Sequence, residues 1–187
     1  MKKLFYLLLV IFCSSCFYGS FKGLTSGYKK EKEYLNIVFL DSIDNIEKLD
    51  LQIIYSLNGE TLKKEISKHK NSLVYFWSIN CYSENCHPLH AVQSYCDDND
   101  MKLFVVLDYY DRELTSTFSE IKHPFFSIDH FYYKTNFTNK YKKRFLNDLV
   151  GFELNDSISW KRYYYFEEDE FKKVERTIVE LSEMVLP

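Results

Sequence analysis

The chain of 187 residues contains only five glycines and three prolines. It has no glycine-rich loop of the kind that cradles phosphate, and no Ser/His/Asp order that indicates a serine hydrolase. Basic residues are not in excess, since 24 Lys and Arg face 27 Asp and Glu and leave a net charge of −3. This balance argues against nucleic acid as a partner, which favours a basic stripe on one face. After residue 12, no apolar run approaches the ~20 residues that a membrane-spanning helix needs.

The N-terminal segment has the pattern of an export signal. A lysine pair precedes the apolar run 4–12, which is too short for a stable membrane anchor, and two serines then lead into Cys16. This order resembles the lipobox of bacterial lipoproteins, although Cys13 stands where that family usually has leucine. In lipoproteins the signal is cut just before a cysteine that then carries the lipid. An ordinary secretory signal is the alternative interpretation.

The lipoprotein resemblance implies a signal peptide over residues 1–15, a lipid on Cys16 and a tether over residues 16–33. Phe17 follows the cysteine, so the aspartate that retains many lipoproteins at the inner membrane is absent. We therefore expect a bacterial envelope protein that is anchored by its lipid, at the outer membrane and facing the periplasm. Removal of the 15 signal residues leaves 172 residues with 22 basic and 27 acidic side chains, a net charge of −5. This length suffices for one domain, predicted over residues 34–187.

Within that domain, apolar runs that predict strands alternate with segments of helical period. A continuous apolar run such as 73–79 favours a strand that is covered on both faces. Asn58-Gly59 is typical of a tight turn, and Asp108 is expected to be a turn residue at a strand end. The alternation predicts an α/β sheet with helices on both faces. The predicted strands are 35–40, 51–57, 73–79, 103–108, 124–129 and 162–166, and the predicted helices are 86–98, 139–150 and a C-terminal segment.

The stretch SLVYFWSINCYSENC, residues 72–86, resembles the site of thioredoxin-like proteins of the membrane-anchored, envelope-facing kind. In that family a strand ending in Phe-Trp leads to a Cys-x-x-Cys pair at the start of the first core helix. The resemblance implies a thioredoxin-like domain with a central mixed sheet and a last hairpin over residues 163–175. It also implies thiol–disulfide exchange in which Cys81 attacks and Cys86 resolves. The implied partners are envelope proteins with cysteines or disulfides.

The chain departs from the family in three ways. Four residues separate the cysteines where the family has two, and Asn80 stands where it normally has tryptophan. Thioredoxin-like enzymes also place a cis-proline just before the strand that precedes the last hairpin. If that strand is 162–166, Lys and Arg at 161–162 occupy this position. A second register makes Pro124 the family proline instead.

The physical chemistry of the cysteines leaves two interpretations open. Either Asn85 or His87 as helix cap would place Cys86 at a helix N-terminus, where backbone N–H groups and the helix dipole stabilise a thiolate. In an oxidising envelope, however, the bond from Cys81 could equally be a structural disulfide in a non-catalytic binding module. Cys96 lies on the apolar stripe of the predicted helix, and we expect a buried, unreactive thiol outside this disulfide.

Metal binding is a third interpretation of the same segment. Cys86 and His90 are four residues apart and hence share one helix face, and Cys81 adds a second soft ligand. The group resembles copper-delivery relatives of thioredoxin, whose distant histidine would here be His123 or His130. The spacing matches no zinc template. Copper held by Cys81, Cys86, His90 and His123 is therefore the alternative to a protein without a cofactor.

Overall fold

The computed structural model describes residues 22–81, 83, 85–155, 158 and 161–180. The predicted signal peptide and Cys16 lie outside the described residues, as does most of the predicted C-terminal helix. The helices and strands are α1 (Tyr28–Glu31), β1 (Ile37–Phe39), β2 (Ile54–Leu57), α2 (Gly59–Ile66), β3 (Asn71–Trp77), α3 (Leu89–Asp98), β4 (Lys102–Leu107), β5 (Phe125–Ile128), α4 (Thr138–Val150), β6 (Tyr163–Glu167) and β7 (Glu170–Glu175), with 3₁₀ segments at Ile46–Lys48 and Arg112–Glu120.

The strands form one seven-stranded mixed sheet in the order β1-β2-β5-β4-β3-β6-β7. The first five in this order are parallel, whereas β6 runs antiparallel to β3 and β7 antiparallel to β6. The predicted α/β class is confirmed, as is the parallel pairing of the runs 73–79 and 103–108. The arrangement is compatible with a thioredoxin-like fold.

The C-terminal hairpin decides between the two registers considered for the family proline. Strands β6 and β7 form the predicted last hairpin, and β6 follows directly on Arg162. Pro124 instead precedes β5, which lies between β2 and β4. The strand order is therefore that of the first register, in which Arg162 directly precedes the strand that begins the last hairpin.

Helices cover both faces of the sheet because strand side chains alternate between them. On one face, α2 and α4 pack over a cluster that includes Val74, Phe76 and Phe104. On the other, α3 and the 3₁₀ segment Arg112–Glu120 pack over a cluster that includes Tyr75. Strand β3 is thus buried from both sides, as its continuous apolar sequence predicted. Within the described residues, no helix combines the length and apolarity needed to cross a membrane.

Helix α2 is not predicted by the sequence, because Asn58-Gly59 is equally typical of a turn. Asn58 is the N-cap, and its side chain accepts the Thr61 N–H at 2.8 Å. Asparagine is favoured at both turns and N-caps for the same reason, since its side chain satisfies nearby backbone N–H groups. Gly59 follows because a Cβ at this position would lie closer than 3.0 Å to the Phe145 carbonyl oxygen of α4.

The described part of the predicted tether, residues 22–33, packs on the domain. The Ser26 N–H donates to the Asn136 carbonyl at 3.0 Å, and the Ser26 carbonyl accepts the Tyr110 N–H at 2.7 Å. Gly27 has a φ of 73° and leaves no room for a Cβ beside the Tyr110 carbonyl. This segment therefore crosses the edge of the sheet where the parallel strands end.

The close approach of α2 and α4 predicts that Gly59→Ala destabilises the protein. The added Cβ must push the α4 backbone away, and overpacking of this kind costs about 1–3 kcal/mol. Urea unfolding followed by circular dichroism measures the loss. Glu60→Ala, at the neighbouring exposed position, is the control and should change stability by no more than about 0.5 kcal/mol. Equal stabilities for the two variants would contradict the proposed helix contact.

Candidate functional site

Cys81 and Cys86 form a disulfide just after the C-terminal end of β3. Their Cα atoms are 5.9 Å apart, within the 4.4–6.8 Å range usual for a disulfide. The Cys81 N–H donates to the Ser78 carbonyl at 3.1 Å, and the Cys86 N–H donates to the Ser83 carbonyl at 2.9 Å. Both cysteines are half-buried, so one side of the pair remains open to solvent.

Both cysteines precede helix α3 and neither begins it. Pro88 is the N-cap, with an extended backbone at φ −57° and ψ 143°, and its carbonyl accepts the first helical N–H groups. A residue before proline is pushed toward extended conformations, so the helix starts after Pro88. Both predicted starts, Asn85 as N-cap with Cys86 as the first helical residue and His87 as N-cap with Pro88 as the first, are therefore wrong. The stabilisation expected from the helix dipole weakens with this added distance.

The Ser83 hydroxyl is one polar group that lies next to both sulfur atoms. Its Oγ lies 3.4 Å from Cys86 Sγ and 3.7 Å from Cys81 Sγ. Ser83 is exposed, so water also reaches this side of the loop. A hydroxyl here can donate a hydrogen bond to a thiolate, which favours the charged form of a reduced cysteine.

The start of the loop is anchored by Asn80, which directly precedes Cys81. Its amide donates to Asp111 Oδ2 at 3.0 Å and to the Tyr109 hydroxyl at 3.2 Å. Asp111 also receives Lys22 Nζ at 2.8 Å. Burial would raise the pKa of Asp111, but the bonds from Lys22 and Asn80 help to outweigh it and hold this pKa below its usual value. A residue that departs from the family pattern thus ties the loop to the end of β4.

The other end of the loop is anchored by His87. Its Nδ1 lies 2.9 Å from the Tyr163 hydroxyl, and its carbonyl accepts the Tyr75 hydroxyl at 2.9 Å. The two tyrosine rings are stacked, with centroids 4.6 Å apart. Burial lowers the pKa of His87 and raises the pKa of Tyr163. The imidazole is therefore a neutral hydrogen-bonding group near the disulfide at neutral pH.

A buried charge cluster lies beneath the loop, at the ends of β3 and β4. Asp108 receives Lys142 Nζ at 2.6 Å and an Arg162 guanidinium nitrogen at 3.3 Å. The same nitrogen donates to the Phe76 carbonyl at 2.7 Å. Burial lowers the pKa of Lys142, and Asp108 opposes that shift. Asp108 is thus a central ion-pair partner, and the Arg162 side chain holds the ends of β3 and β4 to the start of β6.

The candidate copper ligands do not converge. Cys81 and Cys86 follow the C-terminal end of β3, and His90 is exposed on the first turn of α3. His123 interacts with Lys102, which begins β4. Strand β4 has six residues, so about 17 Å separates its two ends at ~3.3 Å per residue. In the described part of the chain, no cluster of three or more His, Cys, Asp or Glu side chains is arranged to hold a metal ion.

Sequence reasoning found the cysteines but missed the side chains that hold their loop. Tyr75 and Tyr163 are direct partners in the antiparallel pairing of β3 with β6. Alternation along each strand could have put these tyrosines on the same face, but only if the register had been known. Arg162 and Asp108 are 54 residues apart in sequence, and no local pattern indicates their contact.

No family model matches the chain, and comparisons with curated proteins and with solved structures give no significant match. The resemblance to thioredoxin-like proteins therefore rests on residues and strand order alone. It comprises a buried strand ending in Phe76-Trp77, a disulfide before the following helix, a parallel β3–β4 pair and an antiparallel last hairpin.

The three described cysteines should differ sharply in reactivity. Cys96 is free and fully buried, and burial raises its pKa to about 12. It should therefore remain an unreactive thiol at pH 8. After mild reduction of the folded protein, iodoacetamide should label Cys81 and Cys86 but not Cys96, as read by peptide mass spectrometry. Labelling of Cys96 is expected only in guanidinium, and its labelling in folded protein would contradict this burial.

Proposed function

We propose that this chain is a thioredoxin-like thiol–disulfide exchange protein of the bacterial envelope, with Cys81 and Cys86 as its redox pair. The observation that carries the proposal is a half-exposed disulfide confined to one loop at the end of the central strand β3. The loop is held at both ends by side chains of neighbouring strands. Opening of the bond can therefore leave the sheet and both flanking segments in place.

The size of the disulfide ring favours a redox role over a structural one. The bond closes a ring of only six residues. By the chain-entropy relation, such a ring stabilises a fold by about 2 kcal/mol, against about 3 for a 15-residue ring. A disulfide within one loop that joins no separate helices or strands contributes little to the stability of the fold. Its exposure, by contrast, makes the sulfur atoms accessible for exchange with another protein.

The exchange reaction follows from the two thiols. In the reduced protein, the Cys81 thiolate attacks a disulfide of the substrate protein, forms a mixed disulfide and releases one substrate thiolate. The Cys86 thiolate then attacks Cys81 Sγ, which forms the observed bond and releases the second substrate thiolate. Two electrons pass to the substrate, and a protein dithiol must later restore the pair. The Ser83 hydroxyl is placed to stabilise either thiolate.

Measurement of the reduction potential tests the proposal. Equilibration of the purified protein with glutathione buffers should give a potential above about −300 mV, because structural disulfides usually lie below this value. The double variant Cys81→Ser/Cys86→Ser should unfold with a loss of only about 2 kcal/mol. Cys96→Ser is the matched control, which should leave the potential unchanged.

The alternative of a structural disulfide in a binding module predicts the opposite pair of results. A potential well below about −300 mV, together with a stability loss far above that of a six-residue ring, would overturn the redox proposal.

A trapping experiment separates the two functions further. Cys86→Ser should accumulate mixed disulfides with envelope proteins through Cys81, whereas Cys81→Ser should accumulate fewer.

The envelope location rests on the N-terminal sequence and is part of the proposal. The positive start, the short apolar run and the two serines before Cys16 support cleavage and lipid attachment at this residue. Cys16→Ala should accumulate as unprocessed precursor that incorporates no labelled fatty acid, with Cys13→Ala as the control that is still processed. Labelling that persists in Cys16→Ala would exclude this anchor while leaving the redox proposal untouched.

A further inference from the structure

A cleft of about 500 Å³ lies away from the disulfide, between α1 and the loop that joins β5 to α4. Its volume falls within the range of about 300–1,000 Å³ that is usual for small-molecule sites. The cleft opens at the edge of the sheet where the parallel strands end. Its lining residues are Tyr28, Lys29, Lys32, His130, Phe131 and Lys134, together with Thr135 and Asn136.

The floor of the cleft is aromatic. The rings of Tyr28, His130 and Phe131 contact one another, with centroids 5.2 Å, 5.2 Å and 4.1 Å apart. Phe39 extends this surface, at 5.6 Å from Phe131. Phe131 remains 57% exposed although its ring is packed at one edge. Such an open aromatic surface is suited to stack against a planar ring.

The rim of the cleft is basic. Lys29, Lys32 and Lys134 are all exposed, and no carboxylate is among the lining residues. Within the described part of the chain, these three ammonium groups form no ion pair, whereas Lys22 and Lys142 each pair with an aspartate. Three uncompensated positive charges around one concave aromatic surface attract an anion.

His130 is the second, independent sign of a ligand site. The residue is 94% buried, since only 6% of its surface is exposed, yet it lines the cleft. Its Nδ1 makes no hydrogen bond to any described residue. Buried polar groups are almost always hydrogen-bonded, so an unpaired imidazole nitrogen beside a cleft calls for an explanation. Nδ1 itself is shielded from solvent, so a polar atom of a bound ligand would reach it only after a local shift of the ring.

The position in the fold agrees with this interpretation. The chain leaving β5 runs into α4 on one face of the sheet. The chain leaving its neighbour β4 runs into the 3₁₀ segment on the other face. Ligands of open α/β sheets bind outside the carboxyl ends of strands where neighbouring connections diverge in this way. The N-terminal segment covers part of this crevice and adds Tyr28 and its two lysines to the site.

From these observations we infer that the cleft binds a small planar anion, namely an aromatic ring that carries a phosphate or carboxylate group. The ring stacks on the exposed face of Phe131 and meets Tyr28, whose ring is perpendicular to Phe131, at an edge, while the anionic group contacts the lysines. The inference does not depend on the proposed redox function, because no cysteine contributes to the cleft.

Three probes separate the contributions of ring and charge. Phenyl phosphate carries both, inorganic phosphate only the charge, and phenol only the ring. Titration of the isotope-labelled protein, followed by NMR, should show phenyl phosphate shifting the resonances of His130 and Phe131 with about millimolar affinity, as expected for a ligand of this size. Phosphate and phenol should each bind at least about tenfold more weakly, because each lacks one of the two contacts. Benzoate should resemble phenyl phosphate if either anionic group suffices.

Surface variants keep this test independent of folding. Lys29→Gln/Lys134→Gln should weaken phenyl phosphate binding by about tenfold, because two charge-assisted contacts are lost. Phe131→Ser should do the same through loss of stacking, whereas Lys48→Gln, exposed elsewhere, should have no effect. Three results would each overturn the inference: no shifts at the cleft, equal affinities for phenol and phenyl phosphate, or affinities unchanged in the lysine double variant.

Discussion

The structure around the disulfide depends on one buried carboxylate. Asp108 compensates the charges of both Lys142 and Arg162, so one residue directly after β4 fixes a helix on one face and a strand on the far side of β3. Loss of one partner from a buried ion pair costs about 3–5 kcal/mol, because a charge is left uncompensated in a medium of low polarity. Without Asp108 two cations would be left, whereas loss of Lys142 would still leave Arg162 as a partner. The cluster also binds the Phe76 carbonyl, and it therefore fixes the end of the strand from which the cysteine loop departs.

A rigid strand end would allow a short loop to carry a bond that opens and closes, as proposed. The loop begins at Asn80, held by Asp111, and ends at His87, held by Tyr163 and Tyr75. Four residues separate the cysteines, and all of them lie between these two anchors. Reduction therefore releases only the segment between the anchors. The six-residue ring contributes about 2 kcal/mol, a small term beside the burial of β3 and the charge cluster beneath it. If the disulfide joined distant helices or strands, its reduction would instead release those elements from one another.

The sequence predicted those parts of the fold that depend on local patterns. Continuous apolar runs identified β3 and β4 because a strand covered on both faces has no polar positions to expose, and the spacing of the cysteines allowed their disulfide. Helix α2 was missed because Asn58 satisfies backbone N–H groups equally well in a turn and at an N-cap. Helix α3 begins later than predicted, because Pro88 restricts the backbone of His87 to extended conformations and so prevents a helix from starting before it. Asp108 and the anchors of the loop could not be predicted, since each depends on contacts between strands whose order in the sheet is not written in any local segment.

The disulfide loop and the basic cleft lie along the same edge of the sheet because parallel strands all end at one edge. Loops at this edge carry side chains that are not committed to the core, so sites accumulate there. The segment from Lys22 to Tyr28 crosses this edge, pairs with Asp111 through Lys22 and contacts Tyr110 through Ser26. Five residues separate Cys16 from Lys22, so the distance between these two residues is at most roughly 20 Å. If Cys16 carries the proposed lipid, the edge that carries the disulfide would be held close to the bilayer, and substrates would approach between the domain and the membrane or along its side. Such a constraint would favour proteins whose cysteines also lie near the membrane surface over freely diffusing ones.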